Sequence, residues 1–417
     1  MDRRFFLKNT MSVSIVSSLL LSGGIKSLLS RQSKHPNRVL VLIQLDGGND
    51  GLNTVIPLDQ YPNLIKARQN IMINEKKVLS LYDSSITTLH PAMSGVRDLY
   101  NNKSVSIIQN VGYKNPDLSH FKAIDIWHSA SAADTISTGW LGRFLDKGQN
   151  IHDGLSSADP PAIQMGSSLT KNLQGESMNM GMAIKTIDSF YDLQTAKYEP
   201  PLPSRLGDQL SFLQASVSES RKYLYRVKEA ASVQQNQSKL YPPPNDNPLA
   251  DQLKIIARLI GGGLQTKIYI TSLKGFDTHS SQVDPYDSSK GVHADLLSKL
   301  STAIAAFQDD LHLMGKQEDV LGMTYSEFGR RIKSNSSYGS DHGTAAPIML
   351  FGSKLKGGLI GKNPEIASGV NFLDNLPFQT DFRSVYSSIL KGWFHLPDTE
   401  IASTVMGEFP QLDLFKS

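Results

Sequence analysis

One run of residues constrains the fold of this chain more than any other. Val39-Leu40-Val41-Leu42-Ile43-Gln44-Leu45 is almost continuously aliphatic and stops at Asp46-Gly47-Gly48-Asn49-Asp50-Gly51. A strand with one wet face would alternate apolar and polar residues. This one does not, so it reads as buried on both faces, as in a parallel sheet covered by helices. The glycines permit a tight turn at its carboxyl end. Shorter runs of the same kind occur at Val105–Gln109, Lys267–Ser272, Val320–Tyr325 and Pro347–Phe351. Between them, Leu296, Leu297, Leu300, Ile304, Phe307 and Leu311 recur at helical spacing, as do Leu206, Leu210, Leu213 and Val217. Strands alternating with helices predict an α/β fold, a three-layer sandwich with a mainly parallel sheet.

Two stretches break that rhythm. Residues 128–200 are rich in Ser, Asp, Gly and Met without a clear strand, and read as a cap-like insertion in one domain spanning 35–417. Gln234–Pro248, with three consecutive prolines, reads as a surface linker. Gly261-Gly262-Gly263 lacks the Lys-Ser/Thr of a phosphate loop and reads as a helix stop.

Charge is distributed unevenly. Residues 1–34 hold six of the 42 Lys and Arg but only one of the 39 Asp and Glu. The rest is slightly acidic, which argues against a nucleic-acid partner, because phosphate neutralisation needs clustered surplus cations. Within the leader, Arg3-Arg4 precede an uncharged, Ser-rich stretch from Asn9 to Ile25. Paired arginines before a weakly apolar core resemble a twin-arginine export signal, so the expected location is the periplasm or beyond, with the twin-arginine machinery as a partner. Ser22-Gly23-Gly24 is a poor cleavage site, and a retained leader would be the one membrane contact. Absence of cysteine excludes disulfides, thiolate metal ligands and a thiol nucleophile.

In open α/β sheets, ligands bind beyond the carboxyl ends of the strands. Four segments there carry metal-type donors: Asp46; Asp277 and His279; Glu327, with Arg330 three residues on; and Asp341 with His342. Each has a plain alternative. Asp46 suits an Asx turn, Asp277 and His279 a capping loop, Glu327 and Arg330 a surface pair at helical spacing, and His342 a structural histidine. Their recurrence at one sheet edge points instead to a shared cation, since converging carboxylates repel without one. The donor types suit zinc or manganese, with calcium left open. Ser119 opens a helical stretch and is either a cap or a hydroxyl beside an anionic ester group at a helix N-terminus. His120 reads as a core histidine.

These blocks, with Leu89-His90-Pro91, Ser119-His120-Phe121 and Asp341-His342-Gly343, resemble the bacterial exported family called domain of unknown function 1501, from about Val39 to about Phe394. That family is similar to the alkaline phosphatase and sulfatase superfamily. The resemblance implies an exported, metal-dependent hydrolase of phosphate or sulfate esters, acting on a small or polymeric anionic ester with one or two divalent ions. It implies one ion on Asp277, His279 and His342 and another on Asp46, Ser119 and Glu327, with Ser119 as nucleophile. Arg330 and Asn49 are the expected substrate-binding residues. Phe328 stands where that superfamily has a second histidine ligand, and a serine in place of cysteine excludes the formylglycine route. Two other readings compete: a non-catalytic envelope binding or assembly protein on the same fold, and a Ser-His-Asp esterase using Gly47-Gly48-Asn49-Asp50 as its oxyanion hole.

Overall fold

The computed structural model describes residues 37–133, 135–149, 159–186 and 223–416. The leader and the Leu206–Val217 pattern lie outside these residues.

The Val39 run forms β1 (Val39–Asp46) at the middle of a nine-stranded sheet. Its alternate side chains enter two separate cores. Val39, Val41, Ile43 and Leu45 face one, and Leu40 and Leu42 face the other. A strand wet on neither side needs a helical layer on each. The first layer contains α3 (Ser94–Asn101), α6 (Pro248–Gly261) and α7 (Val292–Leu313). The second contains α4 (His120–Ser129), α5 (Trp140–Gln149), α8 (Phe382–Gly392) and α9 (Asp398–Thr404). Trp393, at the end of α8, is buried and donates its indole N–H to the Val39 carbonyl at 3.1 Å, pinning this layer to the start of β1. The fold is therefore the expected three-layer α/β sandwich.

The other sheet members are β5 (Val105–Gly112), β6 (Ala162–Met165), β7 (Met182–Ile184), β8 (Ile268–Lys274), β9 (Val320–Tyr325), β12 (Ala346–Phe351), β13 (Gly358–Ile360) and β14 (Thr380–Asp381). Their order is β13-β5-β12-β9-β1-β8-β6-β7, with β14 also on β5. Pairing is parallel except around β12, which runs antiparallel to both β5 and β9. This reversal matters for the site. Residues that precede an antiparallel strand lie at the same edge as residues that follow its parallel neighbours.

Three readings of the sequence are corrected. The 128–200 stretch contains strands after all: β6 and β7 extend the sheet beside β8, too short to show a period. Gln234–Pro248 is not a free linker, because Asn236 Nδ2 and the Gln237 and Ser238 N–H groups all bond the buried Asp310 carboxylate of α7, at 2.6 to 3.0 Å. Glu327 and Arg330 are not a surface pair on a helix, since both are buried and Arg330 begins a strand. The triple glycine does stop a helix. Asn247 caps the start of α6 by accepting from Ala250 N–H, and Gly262 and Gly263 end it, with Gly263 at φ +84°.

A smaller structure covers the carboxyl edge. It comprises α1 (Gly51–Thr54), α2 (Tyr61–Arg68), an antiparallel sheet of β2 (Val55–Pro57), β3 (Leu79–Leu81) and β4 (Ser84–Leu89), and a hairpin of β10 (Arg330–Ser334) with β11 (Ser340–His342). A third apolar cluster, including Leu52, Leu64, Ile73 and Ile332, holds it together.

Candidate metal centre

In-register pairing places Asp46 beside Lys274 of β8 and Gln44 beside Tyr325 of β9, so the three following loops leave the sheet at one level. Gly47 and Gly48, at φ +125° and +84°, turn the first loop across the other two. A Cβ on Gly47 would lie 2.3 Å from the Asp277 backbone nitrogen, and one on Gly48 would strike the Phe328 ring at 2.4 Å. Only glycine permits this approach.

Three imidazoles and one carboxylate meet above these loops. His342 Nε2 lies 3.1 Å and His279 Nε2 3.2 Å from Asp277 Oδ1, while His120 Nε2 lies 3.5 Å from Asp277 Oδ2. These separations are near the roughly 3.3 Å between neighbouring donors on a tetrahedral zinc ion. Ligand atoms of His120, Asp277 and His342 all fall within 4.8 Å of one another. His120 is therefore not the core histidine that the sequence suggested. Its ring is half-buried and faces the cluster.

Each ring is held from behind by an oxygen. His120 Nδ1 bonds Glu327 Oε1 at 2.8 Å, His279 Nδ1 bonds Asp341 Oδ1 at 3.0 Å, and His342 Nδ1 bonds the Leu118 carbonyl at 2.9 Å. These oxygens accept, which puts the ring hydrogen on Nδ1 and leaves each Nε2 with a bare lone pair. Two such nitrogens, of His279 and His342, stand only 2.9 Å apart. Lone pairs repel at that distance unless a proton or a metal cation lies between them. Carboxylates behind histidines are the usual means of orienting imidazole ligands.

The electrostatics agree. Burial alone would raise the Asp277 carboxyl. The hydrogen bond and positive charge of Arg330 outweigh it and hold the group at about 2. Burial lowers His342, against the opposing bonds to Asp277 and to the Leu118 carbonyl. Glu327 is raised by burial, against the opposing bond from His120. Its Oε1 also accepts from Gly47 N–H at 2.9 Å, so it locks the glycine turn as well as His120.

The other candidate residues divide. Asp277, His279 and His342 come together, with donor atoms 2.9 to 3.2 Å apart, although the mutually grouped donors are His120, Asp277 and His342 without His279, and Glu327 joins them one bond further back. Asp46 ends β1 beside Glu327, whose carboxyl its charge helps to raise, but it is not among the grouped ligand atoms. Ser119 is exposed at the start of α4, makes no capping hydrogen bond, and stands between Leu118 and His120, which both contact the cluster. Arg330 does not present a free fork to solvent. All three guanidinium nitrogens are buried and bonded, to Gly47, Gly48, Phe276 and Ser340 carbonyls and to Asp277 Oδ1. Asn49 is likewise buried, its side-chain oxygen accepting from Thr54 Oγ1 and facing His293 Nε2. Phe328 packs its ring on those of His120 and His342, at centroid distances of 4.9 and 4.5 Å, forming an apolar wall instead of supplying a ligand.

A family model described as a protein of unknown function, DUF1501, matches residues 106–376. The chain belongs to this family. The matched DUF1501 segment contains all three ring-bearing loops and the Glu327 and Asp341 supports, whereas Asp46 and Asn49 precede it. No curated protein matches the chain. Among solved structures, the chain is similar to the C-terminal periplasmic domain of EcEptC from Escherichia coli in complex with Zn, at 12% identity and TM-score 0.35, covering 76% of this chain and 73% of that one. It is also similar to the PsFucS1 sulfatase from Pseudoalteromonas sp., at 13% identity and TM-score 0.36, covering 93% and 72%. A protein in the alkaline phosphatase superfamily from Vibrio parahaemolyticus gives 7% identity and TM-score 0.36, covering 80% and 65%. Likeness at this level transfers neither residues nor reaction, so the chemistry of this DUF1501 member is read from its own cluster.

Proposed function

We propose that this DUF1501 protein is a metal-dependent hydrolase of phosphate or sulfate esters. One observation carries the reading: three imidazoles, each with Nδ1 tied to an oxygen, turn their Nε2 lone pairs toward one ionised carboxylate. His120, His279, His342 and Asp277 would hold the ion, and a nitrogen-rich donor set favours zinc over manganese or calcium. Because Glu327 is occupied by His120 and Gly47, the arrangement suits one ion better than two. When bound, a divalent cation supplies positive charge for the ester's oxygens and for a nearby nucleophile.

The chain's own residues supply the rest. Ser119 is the proposed nucleophile, since it is exposed, precedes His120 directly and spends no hydroxyl bond on capping α4. Attack on phosphorus or sulfur would form a Ser119 ester and release the alcohol, and water would then cleave that ester and restore the hydroxyl. Glu327 and Asp341 fix the tautomers of His120 and His279, and Phe328 excludes water from one side. The esterase reading loses ground, because Gly47 N–H already donates to Glu327 and Asn49 N–H to Ser326 Oγ, so that turn has few donors left for an oxyanion. A non-catalytic binding module remains the competing reading, favoured by the Phe328 wall. Export by the twin-arginine route is part of the proposal. Among the described residues no helix is long and apolar enough to cross a membrane.

Elemental analysis of protein purified from its exporting host, followed by assays on phosphate, sulfate and carboxylate esters, tests the reading. Bound zinc with turnover abolished in Ser119→Ala, metal being retained, supports it. Metal-free protein that neither takes up zinc nor cleaves any ester rejects it. Bound zinc without cleavage, together with tight capture of an envelope component, selects the binding module.

A further inference from the structure

Beneath the cluster lies a fully buried glutamine that none of the roles above uses. Gln282 Nε2 donates to Asp50 Oδ2 at 2.6 Å, and its Oε1 accepts from Ser340 Oγ at 2.6 Å and from Thr278 Oγ1 at 3.1 Å. Its backbone N–H bonds the Tyr338 carbonyl at 2.8 Å, and its carbonyl accepts from His293 N–H at 3.0 Å. The amide can face only one way. Asp50 is buried and doubly bonded to Arg68, and although burial would raise its carboxyl, the charge and bonds of Arg68, with the bond from Gln282, outweigh that effect and lower it. An ionised carboxylate only accepts, so the NH2 must face Asp50 and the carbonyl must face the two hydroxyls.

The residues it grips are informative. Thr278 lies between Asp277 and His279, and Ser340 is two residues before His342. One side chain thus ties both ligand-bearing segments to a buried, immobile ion pair.

We propose that Gln282 is a positioning residue for the metal centre, setting the separation of the Asp277–His279 loop from His342. This rests on the reading of the cluster as a metal centre. Outer residues of this kind typically alter metal affinity 10- to 100-fold.

The test is zinc binding by the intact protein, measured by competition with a chromophoric chelator. Gln282→Met keeps the volume and removes the side-chain bonds. Ser340→Ala removes one bond and covers the case in which Gln282→Met does not fold. Asn247→Ala, which strips a helix cap from α6, serves as a variant destabilised for an unrelated reason. The expected result is a zinc Kd at least tenfold weaker for Gln282→Met and several-fold weaker for Ser340→Ala. Asn247→Ala should lose thermal stability but keep the parent Kd. Zinc affinities within twofold of the parent in both Gln282→Met and Ser340→Ala would overturn the proposal. If the parent protein binds no zinc, the metal reading itself fails. The positioning role is then decided on the metal-free proteins, by the ring 15N shifts of His279 and His342 at fixed pH. Shifts that move in the two variants sustain it, and unmoved shifts overturn it.

Discussion

At the scale of single residues, the cluster works through paired roles: a ring that faces inward and an oxygen that holds it. Removing the oxygen should therefore weaken the site too, though less than removing the ring. Glu327→Gln keeps the shape but loses the negative charge behind His120, and we expect about a tenfold loss of zinc affinity by chelator competition. His342→Ala should abolish stoichiometric binding. A second expectation concerns pH. Burial depresses His90 to about 3 and both His128 and His293 to about 4, all below the ordinary histidine value of 6.5. A base whose folded pKa is depressed takes up its proton more readily when unfolded. Stability should therefore fall as pH drops from about 6.5 toward 4, each histidine contributing a slope of about 1.4 kcal/mol per pH unit. Urea unfolding at a series of pH values measures this, and a flat profile across that window would contradict the burial of these rings. Why some residues were legible and others were not follows from the same pairing. Asp277, His279 and His342 stand in glycine-punctuated loops at strand ends, where a sequence reader looks. His120 gains its meaning from Glu327, which lies 207 residues away. Arg330 and Asn49 look like ligand-binding groups in sequence, and only their burial shows that they brace the loops instead.

At the scale of elements, the turn after β1 controls the site. Gly47→Ala would combine an unfavourable φ with a Cβ 2.3 Å from the Asp277 nitrogen, so the loop after β8 must move. The expected outcome is loss of zinc binding with the two sheet cores intact, seen as preserved far-ultraviolet circular dichroism and a lowered Tm. By contrast, Asn247→Ala removes a cap and a bond to the Lys299 carbonyl of α7, far from the cluster, and should cost about 1 to 2 kcal/mol in chemical denaturation. The long central strands were legible because burial on both faces leaves an unbroken apolar run. The three- and four-residue strands β6, β7 and β13 were not, since so few residues display no period. Nor could the direction of β12 be read, because apolar patterning is identical in both senses along a strand.

At the scale of the whole molecule, the three-layer body carries His120, Asp277 and His279, the hairpin of the small covering structure carries His342, and the two meet at the cluster that a metal would bridge. Binding to the folded form alone raises stability by mass action, about 2.7 kcal/mol at a free metal concentration one hundred times Kd. Thermal scans should thus show Tm rising with added zinc and falling with a chelator, and His342→Ala should be insensitive to both. An unchanged Tm in saturating zinc would count against a site built from segments so distant in sequence.

The engagement of all three Arg330 nitrogens has a consequence for the order of events at the mouth. The Arg330 guanidinium is not free to greet a negatively charged visitor, and beside it stand the carboxylates of Asp277 and Asp341. Such a visitor would be turned away until an ion has arrived first. Occupancy would then track the supply of that ion in the surroundings more closely than the abundance of the visitor itself.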